Sequence, residues 1–287
     1  MTNSLATGIG VLYVVATPIG NREDITHRAL NVLKSVDFIL AEDTRHSLQL
    51  LSSLGIKNNL ESLHAHNEIE KSKQLIARFL AGKSAALISD AGTPLISDPG
   101  YLLVKLARAH EIPVVPVPGA CALVTALCAA GVPCDSFLFL GFLPAKQCAR
   151  KTKLASLYTE PHTLIFYEST HRIIECLDDV GEIYGLECEI VLAKELTKTF
   201  ERFIPGSVSE VKHWLLEEPV RSKGEFVLII PPRSELPQQQ NHEELLAVLL
   251  AELPLKQAVA IACKLSKANK NELYNLALQL KKAHPND

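Results

Sequence analysis

Four polar residues in succession, at positions 42–45, directly follow an apolar run at 38–41 that predicts a β-strand. Carboxylates at the end of a strand can accept a proton from a substrate, so Asp43 and Glu42 are candidate general bases. His66, which follows another short predicted strand, is a third candidate. The same residues could instead cap and pair at the start of a helix, or form an ordinary loop, and both interpretations stay open.

A glycine- and proline-bearing loop at 87–100 joins a predicted strand at 84–89 to a predicted helix. Gly92 has no Cβ, so a ligand could approach the backbone closely at this point. The pair Asp98 and Pro99 is typical of a helix start, with a capping carboxylate before a proline in the first turn. The loop is therefore either a ligand site at a sheet edge or a plain strand-to-helix connection.

Polar or glycine-bearing turns follow several of the predicted strands. If those strands are parallel, their carboxyl ends lie along one edge of a sheet. The turns then converge on one crevice that could hold a small, partly apolar ligand. They lie at residues 17–21, 42–46, 90–94, 118–122, 168–172 and 195–198.

Several well-known site motifs are absent from the sequence. It contains no G-x-x-x-x-G-K-[ST] phosphate loop, no H-E-x-x-H zinc motif and no G-x-S-x-G nucleophile elbow. Gly8 and Gly10 precede the first predicted strand, so they are not a dinucleotide fingerprint. The seven cysteines include no C-x-x-C pair, which favours free thiols in a reducing compartment. We expect neither a metal site nor a disulfide framework.

Composition limits the class of protein. The 287 residues are 47% hydrophobic and 21% charged, which predicts a folded chain with room for two modest domains and a small appendage. The net charge of −3 means that any surface for nucleic acid must be local. No apolar run reaches transmembrane length, and the N-terminus lacks the pattern of a signal peptide. We therefore expect a cytoplasmic protein with no membrane partner.

The order of predicted elements indicates an α/β fold. Strands and helices alternate over about 110 residues, which favours a parallel, helix-flanked sheet. Two later strands, at 189–194 and 201–206, have no helix between them and predict a hairpin in a mixed sheet. The predicted organisation is an N-terminal α/β domain at 1–118, a second α/β domain at 119–232, a linker at 233–241 and a basic helical module at 242–287.

Two helix starts in the first domain are also predicted from local signals. Asp24 is expected to cap the first helix, whose apolar residues follow helical spacing from Ile25 onward. A second helix is expected over 47–54, and Gly55 should end it.

Seven short motifs occur in this chain in the order of a known family. They are A-T-P-I-G-N at 16–21, E-D-T-R at 42–45, S-D-A-G-T-P at 89–94, V-P-G at 117–119, Y-E-S-T-H-R at 167–172, K-E-L-T-K at 194–198 and K-G-E-F at 223–226. With them, residues 11 to 231 closely resemble bacterial ribosomal RNA small subunit methyltransferase I. That family comprises cytidine 2′-O-methyltransferases of the tetrapyrrole-methylase superfamily. The basic tail resembles the family's C-terminal domain.

The resemblance implies a cofactor and an assembly. S-adenosylmethionine would bind in a cleft between the two α/β domains, S-adenosylhomocysteine would be the product, no metal would take part, and the protein would be a homodimer. Small side chains in the matching motifs would admit the adenosine and leave backbone groups free to hydrogen-bond. The residues carried over as cofactor contacts are Pro18, Ile19, Ala91, Gly92, Thr93, Ile96, Cys121, Ala122, Glu168, Leu196 and Gly224.

The resemblance also implies small-subunit ribosomal RNA as the substrate, in its decoding region and within the assembled small ribosomal subunit. A guanidinium suits a phosphate because it binds bidentately, and a lysine-rich module suits the RNA backbone. Each of these cations could instead be solvated surface. The residues expected to contact RNA are Arg45, His171, Arg172, Lys151, Lys267 and Lys270.

The main hypothesis is in-line attack by a ribose 2′-hydroxyl on the sulfonium methyl group, with positioning as the main source of rate. Two other functions stay open. A methylase of a tetrapyrrole or another small molecule would share the strand and turn plan, but it would not need the basic C-terminal module. A non-catalytic RNA-binding factor would keep that module, but it would not need the intact loop at 91–94.

Overall fold

The computed structural model describes residues 8–233, 242–266 and 268–283. The chain divides into two compact units between Pro232 and Arg233. Apart from Arg233, the linker predicted at 233–241 lies outside the described residues, and so does Lys267. Among the described residues, no helix is both long enough and apolar enough to cross a membrane.

Five parallel strands form the first sheet. They are β1 (Leu12–Val15), β2 (Phe38–Ala41), β3 (Leu60–Ser62), β4 (Ala85–Leu87) and β5 (Val114–Val117), in the order β3-β2-β4-β1-β5. Every residue of β2 and β4 is buried, because helices cover both faces of the sheet. This explains why these strands are continuous apolar runs without alternation. Cores form around Leu12 and Phe79 on one face and around Leu33 and Ile39 on the other.

Five α-helices connect or follow these strands, and the first four of them pack against this sheet. They are α1 (His27–Ser35), α2 (Thr44–Ser53), α3 (Glu68–Leu80), α4 (Tyr101–Ala109) and α5 (Ala122–Ala129). Two of the predicted starts are wrong. Asp24 lies in a 3₁₀ turn, and Thr26 caps α1 by accepting from the backbone N–H of Ala29 at 3.1 Å. Helix α2 begins at Thr44 and not at 47, because the carboxylate of Asp43 caps it.

The start of α4 corrects a third prediction. The helix begins at Tyr101 after Gly100, and neither Asp98 nor Pro99 belongs to it. The first backbone N–H groups are satisfied by Glu68 of α3, whose Oε1 accepts from Gly100 at 3.0 Å and from Leu102 at 2.8 Å. The Asp98 carboxylate is therefore not used as a helix cap.

The second sheet is mixed, as predicted. Its strands are β6 (Phe137–Phe142), β7 (Thr163–Ser169), β8 (Glu189–Lys194), β9 (Arg202–Ser207) and β10 (Glu225–Ile230), in the order β6-β7-β10-β8-β9. Strands β6 and β7 are parallel, and the other neighbours are antiparallel, including the predicted β8–β9 hairpin. Three helices belong to this half, namely α6 (Gln147–Ser156), α7 (Ile173–Tyr184) and α8 (Val208–Glu217).

Successive residues of the second sheet face two different cores. Phe166 and Leu228 face the core built with the helices of this half. Their neighbour Ile165 faces a core shared with Leu123 of α5 and Ile19 of the first half. Since this shared core joins both halves, the loops of the two sheets are held at fixed positions beside each other.

The structure describes three helices in the second compact unit. They are α9 (His242–Glu252), α10 (Leu255–Ser266) and α11 (Lys270–Ala283), and they pack around Leu246, Val259 and Leu273. Lysines on this unit face solvent and form no ion pair among the described residues. Those described as exposed are Lys256, Lys264, Lys270 and Lys281.

Candidate active site

A cavity of about 500 Å³ lies where the loops of the two sheets meet. It is lined by residues from the turns after β1, β4, β5, β7 and β8, and by the first residues of β10. Strand β10 contributes its beginning because it runs antiparallel to β7 and β8, which end at this edge. Five of the six turns predicted to converge do so. The turn at 42–46 is the exception, since none of its residues is among those lining the cavity.

Hydrogen bonds to backbone carbonyls tie three of these loops together. The N–H of Thr17 donates to the carbonyl of Gly92 at 2.8 Å, and the N–H of Gly92 donates back at 3.1 Å. The hydroxyl of Thr93 donates to the carbonyl of Ala120 at 3.0 Å, which adds the loop after β5. Gly92 has φ +80°, and a Cβ there would lie 3.2 Å from Cγ2 of Ile19. The cavity wall at this point therefore requires a glycine.

Two of the lining loops contain residues with left-handed backbone conformations. Leu95 and Ser97 have φ of 72° and 75°, and Glu195 and Thr197 have φ of 51° and 61°. Each such residue costs on the order of 1–3 kcal/mol and persists only when its surroundings impose the conformation. Thr197 is held in this way, since its hydroxyl accepts from the N–H of Asn21 at 3.0 Å. Strained backbone at a cavity wall is typical of binding sites.

Carboxylates dominate the charge of the cavity. Asp90, Asp98, Glu168 and Glu225 line it, and no lysine or arginine does so among the described residues. Glu225 pairs with a lysine outside the cavity at 2.9 Å. Glu168 is 3.5 Å from a guanidinium nitrogen, but its buried Oε2 accepts no hydrogen bond among the described residues. Asp90 and Asp98 form no ion pair with any of the described residues.

The pKa values of the acidic groups reflect this crowding. Burial, followed by the nearby charges of Glu42 and Asp90, raises the pKa of Asp98 to about 6. Burial and the charge of Asp90 also raise the pKa of Glu42, against an opposing effect of His64. Three carboxylates thus share a region of negative potential, and none of them pairs with a lysine or arginine among the described residues. Such a region favours either a proton or a cationic ligand.

Comparison with known proteins identifies the family. Residues 11–212 match Tetrapyrrole (Corrin/Porphyrin) Methylases, and residues 237–281 match the RsmI C-terminal HTH domain. Ribosomal RNA small subunit methyltransferase I of Haemophilus influenzae is 52% identical over 276 residues, which cover 94% of this chain and 96% of that protein. The same-named protein of Escherichia coli O157:H7 is 50% identical over 272 residues, covering 94% and 95%. The chain belongs to the ribosomal RNA small subunit methyltransferase I family.

Solved structures of the wider superfamily share the fold. Uroporphyrin-III-C-methyltransferase from Thermus thermophilus has a TM-score of 0.54 and 22% identity, and the match covers 77% of this chain and 94% of that one. The methyltransferase CobJ has a TM-score of 0.57 and 15% identity, covering 78% and 95%. Identities this low show the fold alone. Together with family membership, they confirm the predicted α/β tetrapyrrole-methylase fold and the methyltransferase class.

The cofactor contacts expected for a member of this methyltransferase family lie close together. Ten of the eleven line the cavity. Pro18, which is buried, does not line it. Those that line it are Ile19, Ala91, Gly92, Thr93, Ile96, Cys121, Ala122, Glu168, Leu196 and Gly224.

The expected general bases of this methyltransferase are less well placed. Asp43 and Glu42 do not line the cavity. The guanidinium of Arg45 donates two hydrogen bonds to the carboxylate of Asp43, at 3.2 and 2.9 Å, and holds its pKa well below the usual range. His66 is exposed, with its ring 6.0 Å from that of His64. Asp43 is nevertheless tied to the site, since its N–H donates to Oδ1 of Asp90 at 3.2 Å.

Of the expected RNA contacts in the first unit, only His171 lines the cavity. The side chain of Arg45 is 89% exposed. Arg172 is directed inward, where its guanidinium donates to the carbonyl of Leu143. Lys151 pairs with Glu182.

In the second unit, Lys270 is exposed at the start of α11. Lys267 lies outside the described residues. These two residues stay predictions.

Asp98, Phe142 and Tyr167 are among the lining residues that were not expected as cofactor or RNA contacts. Asp98 was expected to cap a helix, and Phe142 belongs to none of the seven motifs. Tyr167 opens one of the motifs, and its hydroxyl accepts from the N–H of Leu123 at 3.0 Å. Burial raises the pKa of Tyr167, so it stays protonated. Among the described residues, no group of three His, Cys, Asp or Glu side chains is arranged to hold a metal ion.

Proposed function

We propose that this protein transfers a methyl group from S-adenosylmethionine to the ribose 2′-hydroxyl of a cytidine in small-subunit ribosomal RNA. The observation that carries the proposal is the carboxylate-lined cavity, which contains no lysine or arginine among its described lining residues. S-adenosylmethionine has a sulfonium and an ammonium group against one carboxylate, so it is a cation. The RNA class is inferred from the names of relatives that are about 50% identical over 94% of the chain.

The residues present fit this cofactor. The cavity volume lies within the usual range for small-molecule sites. Ala91, Gly92 and Ala122 are small enough to admit a nucleoside against the backbone, and a Cβ on Gly92 would crowd Ile19. The group of Glu42, Asp90 and Asp98 supplies the negative potential that a cation needs. When bound, the cofactor supplies an electrophilic methyl group on its sulfonium sulfur.

In this proposal Asp98 accepts the proton of the 2′-hydroxyl on a carboxylate oxygen. Its pKa of about 6 is closer to neutral pH than that of an ordinary aspartate, so it is a better base. A positive charge bound nearby favours the ionised carboxylate, which is the form that can take a proton. Binding of the cofactor therefore favours the ionised form of Asp98, which is the form that methyl transfer requires.

Asp98 replaces the three bases expected from the sequence for reasons of position and pKa. Asp43 is a weak base because Arg45 stabilises its ionised form. Glu42 has a raised pKa but does not line the cavity, and its charge raises the pKa of Asp98. His66 is exposed and does not line the cavity. Apolar lining residues, among them Ile96, exclude water from the reacting groups, and the fixed loops position them.

The remaining parts of the proposal concern partners. Exposed lysines of the helical unit, such as Lys270, would contact the RNA backbone without reading its sequence. The matched HTH-type domain supports nucleic-acid binding. We further propose that the enzyme acts as a homodimer in the cytoplasm, on the assembled small ribosomal subunit.

The second candidate, a tetrapyrrole methylase, is less consistent with the site. Uroporphyrinogens bear eight carboxylates, which the acidic groups around the cavity would repel. A small-molecule enzyme would also have no use for an HTH-type domain. A non-catalytic RNA-binding factor would need neither the glycine at position 92 nor the carboxylate group.

The proposal is tested by transfer of labelled methyl from S-adenosylmethionine to three substrates. These are naked small-subunit ribosomal RNA, small subunits that lack the modification, and a uroporphyrinogen. Label in RNA supports the proposal, and the better of the two RNA substrates reveals the form on which the enzyme acts. Label in the tetrapyrrole alone would refute it. Binding of S-adenosylmethionine without transfer to any substrate would favour the non-catalytic alternative.

A further inference from the structure

Phe142 is the last residue of β6, which is an edge strand of the second sheet. It is 52% exposed, although it is aromatic and lines the cavity. A single exposed apolar side chain is common on protein surfaces. Phe142 differs from an incidental surface residue in two respects. It lies at the cavity rim, and a particular backbone geometry brings it there.

A β-bulge directs Phe142 to the cavity. Residues three apart in a regular strand point to opposite faces, yet the rings of Phe139 and Phe142 both contact Tyr167, with centroids 4.8 and 5.8 Å away. The register of β6 against β7 shifts between these two phenylalanines, and Gly141 has φ +63°. Bulges of this kind redirect side chains next to active sites. Without the bulge, Phe142 would face away from Tyr167.

The bulge and the ring are both held in place. A Cβ on Gly141 would lie 3.3 Å from Oγ of Ser97, so the bulge packs against the strained loop after β4. Both aromatic contacts of Tyr167 are edge-to-face, with interplanar angles of 63° and 69°. Tyr167 is in turn fixed through its hydroxyl by Leu123. Phe142 thus presents a rigid, half-exposed aromatic surface at the rim.

We propose that Phe142 is the stacking platform for the unpaired base of the nucleotide whose ribose is methylated. The inference rests on the proposed function and names a part of the RNA subsite. Unpaired bases in RNA are commonly bound on aromatic side chains, which leaves the attached sugar free to approach a catalytic group. A neutral base is the part of a nucleotide that suits an acidic cavity rim, because its phosphates are repelled there. Stacking on Phe142 places the base and keeps the phosphates outside.

The test compares Phe142→Leu, Phe142→Ala and Phe142→Tyr in the full-length protein, with unmodified small subunits or their RNA as substrate. Leucine keeps the apolar bulk but has no aromatic face, and tyrosine keeps that face. We expect kcat/KM for RNA to fall about tenfold to a hundredfold in the leucine and alanine variants and to stay near wild type in the tyrosine variant. S-adenosylmethionine should bind all three with unchanged affinity, which also verifies folding.

Phe137→Leu is the matched control. Phe137 lies on the same strand and is 41% exposed, but it does not line the cavity, so its loss should leave kcat/KM unchanged. Wild-type kcat/KM in Phe142→Leu would overturn the inference. A parallel loss of cofactor affinity in the leucine variant would also overturn it, because Phe142 would then belong to the cofactor site. A wild-type protein that methylates no RNA refutes the proposed function itself, before any variant is compared.

Discussion

Thr17 and Gly92 exchange two backbone hydrogen bonds, of 2.8 and 3.1 Å, although they lie 75 positions apart in the chain. This isolated bridge joins the turn after β1 to the turn after β4. The two turns thereby form one continuous wall of the cavity. A ligand held by that wall depends on the exact backbone path at Gly92, where φ is +80°.

Gly92→Ala should weaken binding of S-adenosylmethionine at least tenfold. The added Cβ is strained at this φ and would lie 3.2 Å from Ile19, so the wall must shift. Gly55→Ala is the matched control, since φ there is +67° and nothing lies within 4 Å of the added Cβ. Both variants should lose about 1–2 kcal/mol of unfolding free energy. Only Gly92→Ala should lose affinity in calorimetric titration, and equal affinities in the two variants would contradict this account of the wall.

Asp98→Asn should lower the single-turnover rate about a hundredfold or more while leaving the protein folded and able to bind S-adenosylmethionine. The wild-type rate should rise with pH and level off, because only the ionised carboxylate accepts a proton. The midpoint should lie at or below pH 6, since the pKa of about 6 in the free protein falls when a cation binds nearby.

The asparagine variant should lack this acidic limb of the pH profile. Asp135→Asn, at an exposed site, is the control and should keep both the rate and the limb. An Asp98→Asn enzyme that retains the wild-type pH profile would exclude Asp98 as the proton acceptor.

Much of the fold was predictable because its signals are local. The apolar run of β2 and the β8–β9 pair can be recognised from a few neighbouring residues. The cap of α4 could not be recognised in this way, because the carboxylate that supplies it, Glu68, lies 32 positions before Gly100. The local sequence pattern predicted Asp98 as the cap. Asp98 instead lines the cavity, and this position depends on packing between loops that are distant in the sequence.

The site was predictable to a similar extent. Small and glycine residues in the motifs correctly indicated a crevice at the strand ends, and most of the expected cofactor contacts line one cavity. The charged turn at 42–46 was expected there because it also follows a strand. Its Asp43 instead caps α2 and pairs with Arg45. Phe142 gave no signal in the sequence, since a β-bulge depends on the pairing of two strands.

Arg45→Ala should reduce RNA binding without changing the melting temperature. The side chain is 89% exposed, and its ion pair with Asp43 is the kind that adds little to stability. If Arg45 contacts a phosphate, the slope of log affinity against log salt should become shallower by about one. Lys57→Ala, another exposed cation, should leave the slope unchanged. An unchanged slope in Arg45→Ala would contradict phosphate contact.

Asp179→Ala should destabilise the protein by about 3–5 kcal/mol, because the buried guanidinium of Arg150 loses its buried carboxylate partner and keeps only the exposed Glu175 at 3.6 Å. Both side chains are 1% exposed, and the two charged groups are 2.5 Å apart. Asp178→Ala removes the neighbouring carboxylate, which is 49% exposed and pairs with Lys212, and should cost less than about 1 kcal/mol. Urea unfolding measures the free energy of unfolding of both variants. Similar losses in the two would contradict the claim that burial makes the Arg150–Asp179 pair the more important one.

The central claim is that a ribose hydroxyl of small-subunit ribosomal RNA receives the methyl group. The most direct measurement is nucleoside mass spectrometry of RNA from unmodified small subunits after incubation with the protein and S-adenosylmethionine. We predict 2′-O-methylcytidine as the new nucleoside, with the Asp98→Asn enzyme giving little of it. A methyl group on a base, or RNA that stays unmethylated while the protein binds the cofactor, would contradict the account.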